Sequence, residues 1–189
     1  MKEPKNWAGL LALLAITTLG AYLRFDDLGL KPFHHDEGVN AWFVNEIIEK
    51  FRYRYNPRYY HGPFLYYITA PFVMLFGKTP EAIRYAPALL GTLTIPLIGI
   101  FKPRLGWLGV LAAALLMAIA PIDVYFSKTA IHEIYNSTFN LSMVACFYLY
   151  WRSGKRLPLY GAFLSLALLF ATKETTAITV VAMVPAIVL

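Results

Sequence analysis

Apolar residues fall in long blocks along the chain, and short polar clusters separate the blocks. A helix needs about 20 apolar residues to cross a bilayer, because each residue adds about 1.5 Å to its length. Blocks near this length predict an all-α polytopic membrane helical bundle with about six spans, at 7–23, 82–101, 105–122, 134–151, 157–172 and 175–189. We expect residues 1–189 to be a single transmembrane module. Because no polar residues follow the last apolar block, we also expect this chain to be the amino-terminal part of a longer protein.

Two shorter segments have a different pattern. In 39–51, apolar residues such as Trp42 and Ile47 recur at helical spacing and polar residues fill the opposite face. This pattern predicts a helix that lies in the membrane interface. The segment 63–76 is apolar, but it is short for a span and Pro71 interrupts it. We therefore predict a second interfacial or re-entrant helix at this position.

The charged residues are few and are distributed around the apolar blocks. They make up only 15% of the chain, against about 25% in soluble domains. The net charge of +6 does not indicate nucleic-acid binding, because many of the cations flank apolar blocks instead of forming one patch. Cys146 is the only cysteine and lies within an apolar block, so no disulfide framework is expected.

The positions of Lys and Arg predict the orientation. If 63–76 does not cross the membrane, the amino terminus, 102–104 and 152–156 share one side, which is rich in cations and nearly free of acids. That side is then cytoplasmic by the positive-inside rule. If 63–76 crosses, both basic turns move outside and the rule is violated. The first arrangement predicts a multi-pass cell-membrane protein with a cytoplasmic amino terminus and an external loop after the first span.

The external loop contains His34, His35, Asp36 and Glu37 side by side. Such a pair of carboxylates could accept a proton from a hydroxyl group or bind a divalent cation. An ordinary acid pair at the start of a helix remains an open alternative, because helix amino termini favour negative charge. Adjacent residues point in different directions, so we do not expect both histidines to be ligands.

Further candidate residues lie at the external ends of later spans. Lys128, His132 and Glu133 follow the third span, and Lys173 and Glu174 follow the fifth. Charges at such a depth are costly unless they face a cavity or a partner, so we expect them to line a site.

The segment 52–61, which contains Arg58 and His61, mixes cations with tyrosines. This mixture is typical of an anchor at the level of the lipid headgroups. A basic cradle for a lipid phosphate is the alternative interpretation.

Four motifs resemble those of the C-type membrane glycosyltransferases, in particular the dolichyl-phosphate-mannose protein mannosyltransferases. Within this group, the resemblance is closest to an archaeal and bacterial subgroup associated with flipping of lipid-linked glycans. The motifs are Pro32-Phe33-His34-His35-Asp36-Glu37, Tyr60-His61-Gly62-Pro63-Phe64-Leu65-Tyr66-Tyr67, Tyr125-Phe126-Ser127-Lys128 and Thr172-Lys173-Glu174.

The resemblance implies that a sugar passes, with inversion, from a polyprenyl (dolichyl)-phosphate donor to a protein or lipid-glycan acceptor at the external face. Asp36 would be the base, and Glu37 and Glu133 would be further catalytic carboxylates. The residues expected to bind substrate are His35, Arg58, His61, Lys128, His132, Lys173 and Glu174. Where relatives tend to have arginine, this chain has Lys128, which cannot make a bidentate phosphate contact.

Two other functions and a metal site stay open. The chain could be a non-catalytic membrane partner in the translocation of lipid-linked glycans. A cation-coupled transporter fits less well, because its acids are expected near the bilayer midplane and not at the ends of spans. Asp36 and Glu133 could hold Mg²⁺ or Mn²⁺, although no ligand spacing requires it. The oligosaccharyltransferase branch uses a divalent cation, whereas the mannosyltransferase branch does not.

Overall fold

The computed structural model describes residues 7–53 and 61–181 of the chain. These residues form the helices α1 (Trp7–Phe25), α2 (His35–Lys50), α3 (Phe64–Phe76), α4 (Pro80–Leu97), α5 (Lys102–Ile119), α6 (Pro121–Ser127), α7 (Glu133–Ser153) and α8 (Arg156–Phe170). A 3-10 helix at Ile98–Phe101 joins α4 to α5, and residues 176–181 are also helical. Within the described ranges, the β-type pairing is limited to an isolated bridge between His61 and Lys173. The all-α prediction is confirmed for the described residues.

The interfacial helix predicted at 39–51 begins four residues earlier, at His35. The reason is a reciprocal cap in which His34 Nδ1 accepts from the backbone N–H of Asp36 at 3.3 Å and Glu37 accepts from the backbone N–H of His34 at 3.0 Å. A cap of this kind satisfies amide groups that a helix start leaves unbonded. Asp36 and Glu37 therefore lie in the first turn of α2 instead of in a loop.

The segment predicted as a span at 105–122 is divided. Helix α5 ends at Ile119, and α6 begins at Pro121. The residue before a proline is pushed out of the helical region, and Ala120 has the extended ψ of 123° that this effect predicts. The break directs α6 and the loop after it across one end of the bundle.

The long helices alternate in direction. Helix α4 is antiparallel to α1, α5 is parallel to α1, α7 is parallel to α4, and α8 is antiparallel to α7. Two contacts define each direction. They are Leu28–Arg84 and Leu13–Gly99 for α1 and α4, and Gly9–Trp107 and Gly20–Ala118 for α1 and α5. They are Thr94–Thr138 and Phe101–Tyr148 for α4 and α7, and Cys146–Gly161 and Glu133–Lys173 for α7 and α8. One end of the bundle, here called the site end, holds Phe25, Pro80, Ile119, Glu133 and Phe170. The other, called the basic end, holds Trp7, Leu97, Lys102, Ser153 and Arg156.

Helix α3 does not run along the bundle. Its first residue, Phe64, packs on Tyr135 of α7 with ring centroids 5.9 Å apart, and its last residue, Phe76, packs on Tyr85 of α4 at 5.0 Å. Both partners lie within two turns of the site end of their helices. Helix α3 therefore lies across the site end, where its apolar face covers a core shared with α2, α4, α7 and α8.

Several helices expose apolar side chains on their outer faces. In α1, for example, Leu11 is 64% exposed and Leu14 is 62% exposed. Among the described residues, two helical segments are long and apolar enough to cross a membrane: Trp7–Phe25, and Pro80–Ile119, which comprises α4, the 3-10 helix and α5. Phe64–Phe76 and Arg156–Phe170 are shorter apolar helices. The count of six spans stays a prediction, and most of the last one, 182–189, lies outside the described residues.

Candidate functional site

Glu37 and Arg84 form a bidentate ion pair beneath the first turn of α2, and both side chains are fully buried. Arg84 Nε and Nη2 donate to the two carboxylate oxygens, each at 2.8 Å. The same oxygens accept from the backbone N–H groups of Ala130 at 2.9 Å and His34 at 3.0 Å. Burial raises the pKa of Glu37, but these hydrogen bonds outweigh it and keep the pKa below its ordinary value. The carboxylate of Glu37 is therefore ionised, and each of its oxygens already accepts two hydrogen bonds.

Arg84 also fixes the backbone that leads into α2. Its Nη1 donates to the carbonyls of Leu28 at 2.6 Å and Lys31 at 2.8 Å, and Nη2 donates to that of Pro32 at 3.3 Å. Farther along α2, the Asn40 side chain donates to the carbonyl of Ala130 at 2.8 Å. The loop before α2, α2 itself and the loop before α7 are therefore held as one unit.

Asp36 has a different environment from Glu37, although the two residues are adjacent. Its side chain is 64% exposed. It lies at the edge of a cavity of about 230 Å³ at the site end, lined by His35, Asp36, Val39, Asn40, His61, Tyr66, Ile131, His132 and Glu133. The structure thus brings five of the predicted site residues, from three separate segments of the chain, to one cavity.

Backbone contacts join the His61-Gly62 motif to the segment after α8. The N–H of Gly62 donates to the carbonyl of Thr172 at 3.2 Å, and the N–H of Phe64 donates to that of Ala171 at 3.0 Å. A Cβ atom on Gly62 would lie 2.1 Å from the Ala171 carbonyl oxygen, so only glycine permits this approach. The contact brings His61 beside Lys173 and Glu174.

Two charge pairs lie next to the cavity. Lys173 Nζ is 2.8 Å from Glu133 Oε1, and both side chains are partly exposed. His61 Nδ1 is 3.7 Å from Glu174 Oε2, which is too long for a hydrogen bond. The cation of Lys173 is therefore partly balanced by Glu133 and remains accessible from solvent.

His132 is a neutral imidazole at the cavity wall. Its ring lies 4.3 Å from the ring of His61, centroid to centroid, and only 3% of the residue is exposed. Burial, together with His61 and Lys173, lowers the pKa of His132 to about 3, although a hydrogen bond with the backbone of Gly62 opposes the shift. Nε2 has no hydrogen-bond partner among the described residues. A buried polar atom of this kind is a candidate for contact with a ligand.

One predicted cation, Lys128, does not line this cavity. Lys128 Nζ donates to the backbone carbonyl of Asp26 at 2.5 Å, beside the end of α1. Arg58 lies outside the described residues. Across the described ranges, no Lys or Arg lines the cavity itself. Lys173 lies beside it, because its ammonium group contacts Glu133, which is one of the lining residues.

The described residues contain no group of three or more His, Cys, Asp or Glu side chains that could hold a metal ion. Asp36 and Glu133 are both at the cavity, and Glu133 Oε1 already lies 2.8 Å from Lys173 Nζ. A complete Mg²⁺ or Mn²⁺ site needs about six oxygen ligands.

Sequence reasoning missed Arg84, which is the partner of Glu37. The signal was present, because a charge inside an apolar helix is costly unless it is paired. A second buried arginine, Arg24, lies at the end of α1, just after the span predicted at 7–23. It donates to Ser127 Oγ and to the carbonyls of Gly20, Met117 and Ala118 at 2.8 to 3.0 Å.

A sequence model of the family described as dolichyl-phosphate-mannose-protein mannosyltransferase matches residues 60–189 of the chain. The match includes the motifs at His61, Ser127 and Lys173, and it begins after Asp36 and Glu37. No curated protein and no solved structure gives a significant match.

Proposed function

Because the chain belongs to the dolichyl-phosphate-mannose-protein mannosyltransferase family, which consists of C-type membrane glycosyltransferases, we propose that it transfers a sugar from a polyprenyl-phosphate donor to an acceptor hydroxyl. The observation that carries this proposal is the cavity shared by Asp36, His61, His132 and Glu133. It is smaller than the roughly 300–1,000 Å³ of typical ligand pockets, which suits a single sugar ring better than a whole donor. The lipid part of the donor would then lie outside it, along the apolar helices.

The proposed setting is a membrane crossed by several helices, with the site end external and the basic end cytoplasmic. The helix directions support it, since the turns at 102–104 and 152–156 lie at the same end as the start of α1. Helix α3, with both ends at the site end, fits an interfacial position and not a span.

In the proposed reaction, the acceptor oxygen attacks the anomeric carbon from the face opposite the phosphate. The new bond between oxygen and carbon forms as the bond to the phosphate oxygen breaks, so the configuration inverts and polyprenyl phosphate leaves. The acceptor proton passes to the carboxylate of Asp36. Asp36 suits this role because it is exposed at the cavity, whereas both oxygens of Glu37 already accept two hydrogen bonds each. We assign Glu37 a positioning role, in which it holds the first turn of α2 on Arg84.

Lys173 is the proposed cation for the departing phosphate. Positive charge aimed at an oxygen that becomes more negative stabilises the transition state. Glu133 holds this ammonium group at 2.8 Å, and Glu174 lies near His61, so both acids orient other groups in this arrangement. His61, His132 and His35 are the proposed contacts to sugar hydroxyl groups. Lys128 would contact the donor farther from the cavity, and Arg58 stays a candidate for binding the donor phosphate.

A non-catalytic role in the translocation of lipid-linked glycans is the second candidate. It is favoured by one observation: Lys173, the cation that contacts the cavity residue Glu133, is already paired with it. A groove that carries a lipid phosphate without breaking its bond needs neither a free cation at the anomeric carbon nor a base.

The replacement Asp36→Asn distinguishes the two functions. General-base catalysis contributes about 100- to 10,000-fold, so turnover with a polyprenyl-phosphate sugar should fall by about that factor, while the thermal midpoint stays unchanged. Asp27→Asn is the matched control, because Asp27 is an exposed residue of the turn before α2 with a φ of 47°, which asparagine also adopts. Turnover of Asp36→Asn within a few-fold of wild type would refute the base role. Retained glycan-lipid translocation in that variant, in cells, would then favour the second candidate.

A further inference from the structure

A second groove lies at the basic end, between the start of α5 and the end of α7. It has a volume of about 540 Å³ and is lined by Phe101, Pro103, Arg104, Tyr148, Trp151 and Arg152. Tyr148 of this groove and Glu133 of the site-end cavity both lie on α7, 15 residues apart, so about 22 Å of helix separates them. The groove is therefore distinct from the candidate catalytic cavity.

The charge of the groove is positive and unbalanced. Arg104 and Arg152 are exposed, and neither makes a hydrogen bond or an ion pair within the part of the chain that the structure describes. The segments 98–108 and 148–160 contain no Asp or Glu. Gly154, with a positive φ of 64°, ends α7 and turns the chain so that Lys155 and Arg156 follow directly.

Much of the groove lining is apolar and aromatic. It includes Phe101, Tyr148 and Trp151, and Trp151 is 86% exposed. Arginine beside exposed tryptophan and tyrosine is the combination expected where a membrane protein meets both headgroups and acyl chains. A site for a free anion in water would have no reason to carry these apolar side chains.

We propose that this groove binds the phosphate headgroup of an anionic phospholipid. Two guanidinium groups can hold phosphate oxygens through paired N–H donors, and Phe101, Tyr148 and Trp151 of the groove provide the surface for the acyl chains. Basic pockets between helices on the cytoplasmic side are typical binding sites for anionic headgroups. The proposal requires only that the chain is in a membrane, and it does not depend on the reaction at the site end.

The experiment titrates the detergent-solubilised protein with phosphatidylglycerol or phosphatidylcholine and follows the bound lipid by native mass spectrometry. We expect phosphatidylglycerol to bind more tightly. The double variant Arg104→Gln/Arg152→Gln should bind it about 30-fold more weakly, which is the loss expected for two cations near an anionic surface. Arg104→Lys/Arg152→Lys keeps the charge and should lose much less, which shows that the groove is still folded.

The control is Lys50→Gln/Lys78→Gln, which removes the same charge at exposed positions near the ends of α2 and α3. Its affinity for phosphatidylglycerol should equal that of wild type, as should that of Asp36→Asn. Three results would overturn the proposal: equal binding of the two lipids, an unchanged affinity of Arg104→Gln/Arg152→Gln, or displacement of the lipid by inorganic phosphate at the same concentration.

Discussion

Replacing Arg84 by methionine should strongly destabilise the protein, because it removes the only cation from a fully buried ion pair. Both Arg84 and Glu37 are 0% exposed, and methionine keeps an unbranched chain of similar length. The variant leaves the carboxylate of Glu37 charged, with only the N–H groups of Ala130 and His34 as partners. It also removes the donor from three backbone carbonyls in the loop before α2.

The expected cost of Arg84→Met is about 3–5 kcal/mol, the range for removing one partner of a buried ion pair. In a chain of this size each kcal/mol shifts the thermal midpoint by about 2–4 °C, so the midpoint should fall by roughly 6–20 °C. The double variant Glu37→Gln/Arg84→Met should lose less than the sum of its two single variants, because it leaves no unpaired charge.

Differential scanning fluorimetry of the detergent-solubilised protein measures these midpoints. The control is Lys78→Met, which removes an exposed cation that lies 2.9 Å from Glu49. Exposed pairs contribute little, so its midpoint should not change measurably. An Arg84→Met midpoint within about 2 °C of wild type, less than 1 kcal/mol, would mean that the buried pair does not hold α2 in place.

The same pair predicts a pH dependence. The pKa of Glu37 is lowered in the folded protein from its ordinary value of 4.5, so its contribution to stability is complete above about pH 4.5 and is lost as the pH falls through the folded pKa. The wild-type midpoint should therefore decrease more steeply below pH 4.5 than that of Glu37→Gln. Equal slopes for the two proteins would contradict the assigned ionisation of Glu37.

Two further predictions concern the packing of the site and the orientation of the bundle. Gly62→Ala should cost about 1–3 kcal/mol, because its Cβ would meet the Ala171 carbonyl oxygen. Gly38→Ala, which has no atom within 4 Å of the new Cβ, should show no loss of thermal midpoint, and equal effects of the two would reject the close contact. In a cysteine-free background, Lys78→Cys should react with an impermeant maleimide from outside intact cells and Ser153→Cys should not. Labelling of both from the same side would reject the proposed orientation.

The helices could be predicted well where long apolar blocks determine them. Segments 63–76 and 134–151 differ from α3 and α7 by two residues or fewer at each end. The start of α2 could not be located in this way, because its cap uses His34, which is not among the common capping residues. The break at Ala120 was also missed, because the residues on both sides of it are apolar. The hydropathy stays high across Pro121, whereas the helix is interrupted at Ala120.

The candidate site could be predicted as a set of residues but not as a set of contacts. Lys173 and Glu133 are 40 positions apart, and their 2.8 Å contact depends on the packing of α8 on α7. The direction of Lys128 depends on Asp26, which is 102 positions away. Contacts between residues so far apart leave no local pattern in the sequence. Charged residues in an apolar chain, by contrast, are visible in the sequence, so the candidate residues could be identified.

The separation of roles between Asp36 and Glu37 follows from helix geometry. Successive residues on a helix point about 100° apart, so one member of an adjacent pair can face the core while the other faces a cavity. Glu37 binds Arg84 and the N–H of Ala130, and Asn40 binds the carbonyl of Ala130. These partners lie within the segment that matches the mannosyltransferase family, whereas α2 lies before it. The buried contacts therefore link α2 to the matched segment, which favours a single module whose cavity is lined by α2 and the matched segment together.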